Sequence, residues 1–133
     1  MFDFGDGTVG QLSKAGLNVA NIRAAFATHL HTDHVSGLPS LISYRWSYVL
    51  AGAKLAPLRV LGPPGTQNIM YGAKEFGYIP TETLRAQSPN VEALDATATA
   101  KDVRPGVIYR DDRIVVTAVE NSHYEAVNIP NLQ

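Results

Sequence analysis

The chain has 133 residues, with 11 Lys+Arg against 12 Asp+Glu, four His, no Cys and 45% hydrophobic residues. This is the size of one globular domain at most, and the lack of cysteine excludes a disulfide scaffold, a Cys-based zinc finger, an iron–sulfur cluster and a thiol nucleophile. A net charge of −1 offers no basic excess for an electrostatic nucleic-acid binder, and no apolar run approaches the roughly 20 residues that span a bilayer.

In chain order, Met1-Phe2-Asp3-Phe4 reads as the tail of a strand, stopped by the turn signal Gly5-Asp6-Gly7. The same residues lack the basic start and apolar run of a signal peptide, which favours the cytoplasm slightly. Thr8 is placed to cap a short helix to Ala15, ended by Gly16. Ala24-Ala25-Phe26-Ala27-Thr28 is a short buried strand leading into His29-Leu30-His31-Thr32-Asp33-His34. Leu38, Leu41, Ile42, Tyr44, Trp46, Val49 and Leu50 make a helix ending near Gly52. Pro57–Leu61 is the next strand, and Gly62-Pro63-Pro64-Gly65 a strand-to-helix turn. That turn lacks the lysine and spacing of a phosphate-binding loop.

A helix follows from Thr66 to Phe76, with Gly77 as its stop, then a second helix around Thr81–Ala86 interrupted by Ser88-Pro89-Asn90. Val107–Arg110 and Arg113–Val119, joined at Asp111-Asp112, make a β-hairpin that delivers His123. Tyr124–Gln133 carries no closing element. Interspersed strands and helices imply an α/β layered fold. On the helix that holds them, Tyr44, Trp46 and Tyr48 spread around the circumference, so two of the three should pack rather than form a stacking platform.

The chemistry concentrates in the histidines. Three of the four fall between positions 29 and 34, with Asp33 among them. In an extended segment His29 and His31 share a face and can clamp one divalent ion. A loop after the strand can turn Asp33 and His34 towards a second. Imidazole beside carboxylate suits zinc, with manganese or iron as the other candidates. His123, at a strand end where α/β sites assemble, is a weaker candidate taken alone.

His29-x-His31-x-Asp33-His34 resembles the H-x-H-x-D-H signature of the metallo-β-lactamase superfamily. Asp3-Phe4-Gly5-Asp6-Gly7-Thr8-Val9-Gly10-Gln11-Leu12 is similar to the D-C-G-E-G-T-x-x-Q-L segment of its ribonuclease Z-like branch, with Phe4 in place of the usual Cys. Phe26-Ala27-Thr28 before the motif, Gly37-Leu38-Pro39 after it and the run from Leu58 to Thr66 match the same branch. The core motif is specific for the superfamily; the flanks are less so for the branch.

The resemblance implies an αβ/βα sandwich, of which this chain is roughly the N-terminal half. Residues 1–133 are then a partial hydrolase domain, lacking its first strands and its C-terminal half. It implies two divalent metal ions: His29, His31 and His123 on the first, and Asp33 and His34 on the second. Their ring nitrogens should lie roughly 3–3.5 Å apart on the first ion, given zinc–nitrogen bonds of about 2.0–2.1 Å. The family's bridging aspartate and last histidine have no counterpart here.

The implied activity, of the parent protein rather than of this chain alone, is metal-dependent hydrolysis of phosphodiester or related ester bonds, with Asp33 as the catalytic residue beside the attacking water. RNA is the branch's substrate class, although the charge does not support it. An arylsulfatase- or lactonase-type hydrolase of the same fold is the alternative, and an inactive metal-binding fragment the other. No membrane partner is implied. A sandwich cut part-way exposes edges and apolar faces, so a homo-oligomer is expected. Asp3 and Asp6 read equally well as supports of the metal loop or as turn residues.

Overall fold

The computed structural model describes residues 1–123; the tail expected to lack a closing element lies outside them. The chain opens as an extended segment laid parallel to strand β1 (Ala24–Phe26). Phe26 N–H donates to the Met1 carbonyl at 3.0 Å, and Asp3 N–H to the Phe26 carbonyl at 2.8 Å. Helix α1 (Thr8–Lys14) follows. Its boundary residue is Gly7, at φ 75°, rather than Thr8, whose Oγ1 donates to the Gly5 carbonyl at 2.7 Å. The left-handed conformation at Gly7 requires a residue without a Cβ and displaces the cap from the threonine.

β1, β2 (Leu58–Gly62) and β3 (Ala98–Asp102) form a parallel sheet in that order. Helices α3 (Leu38–Leu50) and α4 (Thr66–Arg85) lie between the strands in sequence, as parallel pairing requires. One core gathers Phe4, Leu38, Leu41, Ile42, Trp46, Leu58, Val60 and Met70. A second gathers Ala24, Phe26 and Leu61 with Tyr109 and Val116 of the antiparallel hairpin β4 (Gly106–Arg110) and β5 (Val115–Ala118). Phe26 meets Tyr109 edge to face, with centroids 5.4 Å apart. Every residue of β1 is buried, which explains its unbroken apolar run.

Three expectations need correction. The helix from Thr66 does not stop at Gly77 but runs through it, and through Pro80, to Arg85. Gly77 is there for close packing: a Cβ would meet Leu94 Cδ2 at 2.5 Å and Ser43 Oγ at 3.3 Å. Pro80 removes one backbone donor, and Thr81 Oγ1 supplies another to the Gly77 carbonyl at 2.8 Å. Second, β3 falls where the sequence shows no strand signal. Third, of the three aromatics only Trp46 is buried, its Nε1 donating to the Glu92 carbonyl at 2.8 Å, while Tyr44 and Tyr48 are exposed.

The Gly62–Gly65 turn is a strand-to-helix connection as expected. Asp102 already occupies the α4 start, accepting from Gly65 N–H at 3.1 Å and Gln67 N–H at 2.9 Å. No helix among the described residues is long and apolar enough to cross a membrane.

Candidate metal centre

β1 ends at Phe26 and hands the chain to Thr28 and His29 at the carboxyl edge of the sheet, where α/β folds assemble their sites. His31 is extended, at φ −66° and ψ 149°, and borders a single helical turn, α2 (Thr32–Val35). Asp33 and His34 therefore sit on a short helix rather than on the expected loop. His34 N–H bonds the His31 carbonyl at 2.9 Å. This turn carries both residues to the same pocket as His29 and His31.

The pocket has a volume of about 540 Å³ and is lined by Thr28, His29, His31, Asp33, His34, Asn121, Ser122 and His123. All five residues expected at the site thus line one pocket. His123 arrives from the far end of the chain, just after β5. Asn121 Oδ1 accepts its backbone N–H at 2.9 Å and so shapes the turn that presents it. His123 Nε2 lies 3.1 Å from His31 Nδ1. One ligand atom from each of His29, His31 and His123 falls within 4.8 Å of the others. The rings stand edge to face, with centroids 4.7–4.8 Å apart. Burial, then the neighbouring imidazoles His34, His123 and His31, hold the His29 pKa below its ordinary value. That favours the neutral imidazole a metal ion needs.

Asp33 and His34 form a second pair beside these three: His34 Nε2 is 3.5 Å from Asp33 Oδ2, and the His34 ring centroid is 3.9 Å from that of His29. The other face of the His34 ring is held by Asp3, whose Oδ2 lies 2.8 Å from Nδ1. A proton on Nδ1 leaves the Nε2 lone pair turned to the pocket. Asp3 also accepts from Thr28 N–H at 2.8 Å and from Thr28 Oγ1 at 2.9 and 3.0 Å. Thr28 Oγ1 in turn is 3.1 Å from His29 Nδ1. One carboxylate therefore steers two imidazoles, one directly and one through a hydroxyl.

Asp3 holds a positive φ of 51°, an uncommon conformation for a residue with a Cβ and one found at functional sites. Of the two readings of Asp3, support of the metal loop is the one the geometry favours. Asp6 makes no comparable contact in the site and stays in its turn. The sequence offers Thr28 only as part of the branch resemblance and Asn121 not at all, because a threonine before the motif and an asparagine before His123 do not reveal what they bond.

The Asp3 network titrates. Burial raises the Asp3 carboxyl, but bonds from Thr28 N–H, His34 and the Thr28 hydroxyl outweigh it and leave the pKa below its ordinary value. A depressed carboxylate stabilises the fold above its unfolded pKa, and that stabilisation is lost as pH falls through the folded pKa. Asp3→Asn should therefore flatten the acid side of the stability curve in chemical unfolding at stepped pH. It should also weaken metal binding at the Asp33–His34 pair by about 10–100-fold, read by competition with a chromophoric chelator. An unchanged affinity would reduce Asp3 to a turn residue.

A family model described as "Anti-Pycsar protein Apyc1" matches residues 1–56. Ribonuclease Z of Methanothermobacter thermautotrophicus is 31% identical over 123 residues, covering 92% of this chain and 34% of that protein. Ribonuclease Z of Picosynechococcus sp. is 32% identical over 124 residues, 92% of this chain and 33% of its own length. That of Salinibacter ruber is 34% identical over 125 residues, 94% and 35%. The chain spans about a third of the length of these relatives. Among solved structures, the short form of human tRNase Z superposes with a TM-score of 0.60 at 22% identity, over 86% of this chain and 44% of that one. The fold is metallo-β-lactamase-like α/β, covering part of the parent fold, and the chain resembles the ribonuclease Z-like branch over nearly its whole length.

Proposed function

We propose that this chain carries the metal-binding part of a hydrolase acting on phosphodiester bonds, similar to ribonuclease Z. The observation that carries the reading is the convergence of His123 on His29 and His31 across 92 residues of sequence. Three imidazoles with one nitrogen each inside 4.8 Å are a donor set suited to zinc, which needs only small side-chain rotations to bond all three. His29, His31 and His123 would hold the first ion; Asp33 and His34 would contribute to a second, whose other protein ligands would come from outside the described residues. Divalent ions bound there would supply Lewis acidity, bringing the pKa of a water down to about 7.

The chain's own residues do the rest. Asp3 and Thr28 hold the His34 and His29 rings in orientation, so that little reorganisation is needed when substrate arrives. Asp33, with its side chain 80% exposed to the pocket solvent, is placed to orient the attacking water or take its proton. The relatives' names point to RNA as the substrate class.

The test is hydrolysis of bis(p-nitrophenyl) phosphate by the protein after metal stripping and after return of zinc or manganese. Turnover should appear only with metal and disappear in His29→Ala. Equal turnover by the stripped and reloaded protein, or by His29→Ala, would refute the reading.

A further inference from the structure

At the edge of the parallel sheet opposite the histidines lies a cleft of about 980 Å³. Its lining includes Arg23, which precedes β1, and Pro57, which precedes β2, whereas His29 follows β1. The cleft is cationic in a protein that is not. Arg23, Arg45, Lys54, Arg59 and Arg113 line it, five of the chain's 11 Lys+Arg, against the single carboxylate of Asp111. The net charge of the chain is −1, so positive charge is segregated here.

That carboxylate is already committed. Asp111 Oδ2 accepts from the Tyr109 hydroxyl at 2.8 Å, and Oδ1 from the N–H groups of Arg113 and Ile114 at 2.8 and 2.9 Å. Among the described residues, Arg23, Arg45, Lys54 and Arg59 form no ion pair; Arg113 has an exposed contact of 3.8 Å with Asp112. Arg59 is held in place instead by the Tyr109 ring, 4.5 Å beneath its guanidinium.

Arg45 is the second observation. It is only 4% exposed, with Nε donating to the Ile22 carbonyl at 3.2 Å and Nη2 to the Ala56 carbonyl at 2.7 Å. Its Nη1 has no hydrogen-bond partner among the described residues. Burial pushes its pKa down, with no anion beside it to oppose the shift. A buried guanidinium with an unused N–H and no counter-charge costs free energy, which an anion in the cleft would offset.

We propose that this cleft binds a diphosphate group, free or esterified to a small organic moiety, at a site separate from the metal centre. Four of the five cations are arginines, whose planar forks match phosphate oxygens in pairs. A surplus of four positive charges exceeds what one carboxylate or one phosphate matches, and suits two linked phosphates. The volume, near the upper end of about 300–1,000 Å³ for ligand pockets, leaves room for an organic group against Ile22, Leu55, Pro57 and Ile114. The inference is independent of the hydrolase reading, because it asks nothing of the histidines.

Calorimetry tests it on metal-stripped protein, dialysed free of chelator at pH 8. The probes are inorganic phosphate, citrate, inorganic diphosphate and isopentenyl diphosphate. Diphosphate should bind at least about tenfold tighter than phosphate or citrate, and added salt should weaken it. A tighter isopentenyl ester assigns the site to an organic diphosphate, and equal affinities to the free ion; both support the proposal. Lys54→Gln and Arg59→Gln, at exposed positions, should each weaken diphosphate by about tenfold. Arg45→Met should abolish binding; should it fail to fold, the two exposed variants decide. His29→Ala should bind diphosphate as the parent protein does. Diphosphate held no tighter than phosphate or citrate, affinity unaltered in both Lys54→Gln and Arg59→Gln, or binding lost in His29→Ala would overturn the proposal.

Discussion

On the proposed function, Asp33→Asn in the intact parent protein should lower metal-dependent hydrolysis by about 10²–10⁴-fold, the range for a positioned proton-transfer group, while leaving thermal unfolding unchanged. The first half follows from chemistry. A neutral amide is a poorer metal ligand than a carboxylate and cannot take the proton of the attacking water. The second half follows from exposure: the Asp33 side chain is 80% exposed, and its ion-pair distance to His34 is a long 3.5 Å. Steady-state kinetics beside a melting curve checks both. Near-normal turnover at limiting metal would remove Asp33 from the machinery, and a large fall in melting temperature would make any loss of activity structural.

Gly37→Ala should be among the most damaging single-methyl changes near the site, costing about 1–3 kcal/mol of stability and lowering the melting temperature by about 5–10 °C. Gly37 is not there for an unusual backbone, since its φ is −82°. It is there because a Cβ would meet backbone, the Gly5 carbonyl oxygen and the Phe4 oxygen at 2.7 Å. Backbone cannot swing aside as the end of a side chain can.

The same clasp holds the metal loop. Phe4 N–H donates to the His34 carbonyl at 2.8 Å, Gly37 N–H donates to the Phe4 carbonyl at 2.9 Å, and a Cβ at Gly5 would run into the Asp33 carbonyl. Metal affinity should therefore fall together with stability in Gly37→Ala, and in Gly5→Ala as well. A variant as stable as the parent protein would show that the Asp3–Gly5 segment is free to move away.

The motif itself was readable because the strand before it is short, apolar and buried on both faces, so the change to His-x-His-x-Asp-His marks the strand end. The parity argument placed His29 and His31 together, and they are. His123 was less readable for a physical reason. Its partner lies 92 residues away, and it is the pairing of the β4–β5 hairpin and the packing of its Tyr109 and Val116 against Ala24, Phe26 and Leu61 that bring them together. Local pattern reports no such contact; the family resemblance supplied it.

Helix α4 misled because Gly77 and Pro80 are ordinary stop signals. Here the packing against Ser43 and Leu94 and the hydroxyl of Thr81 override them. β3 was missed because Ala98-Thr99-Ala100-Lys101-Asp102 has no apolar weight of its own; pairing with β2 makes it a strand. Asp3 could not be told from a turn residue until its bonds to His34 and Thr28 were seen.

The central claim is that His29, His31 and His123 hold one metal ion together. The most direct test is zinc titration of the metal-free protein by equilibrium dialysis with elemental analysis, repeated on His29→Ala and His123→Ala. The account predicts tight zinc in the parent protein and loss of that tight site in each variant, with thermal unfolding of the metal-free forms unchanged. Tight zinc retained in His123→Ala at the parent affinity would contradict it, because the convergence of the chain's far end on His29 and His31 would then have nothing to do with metal.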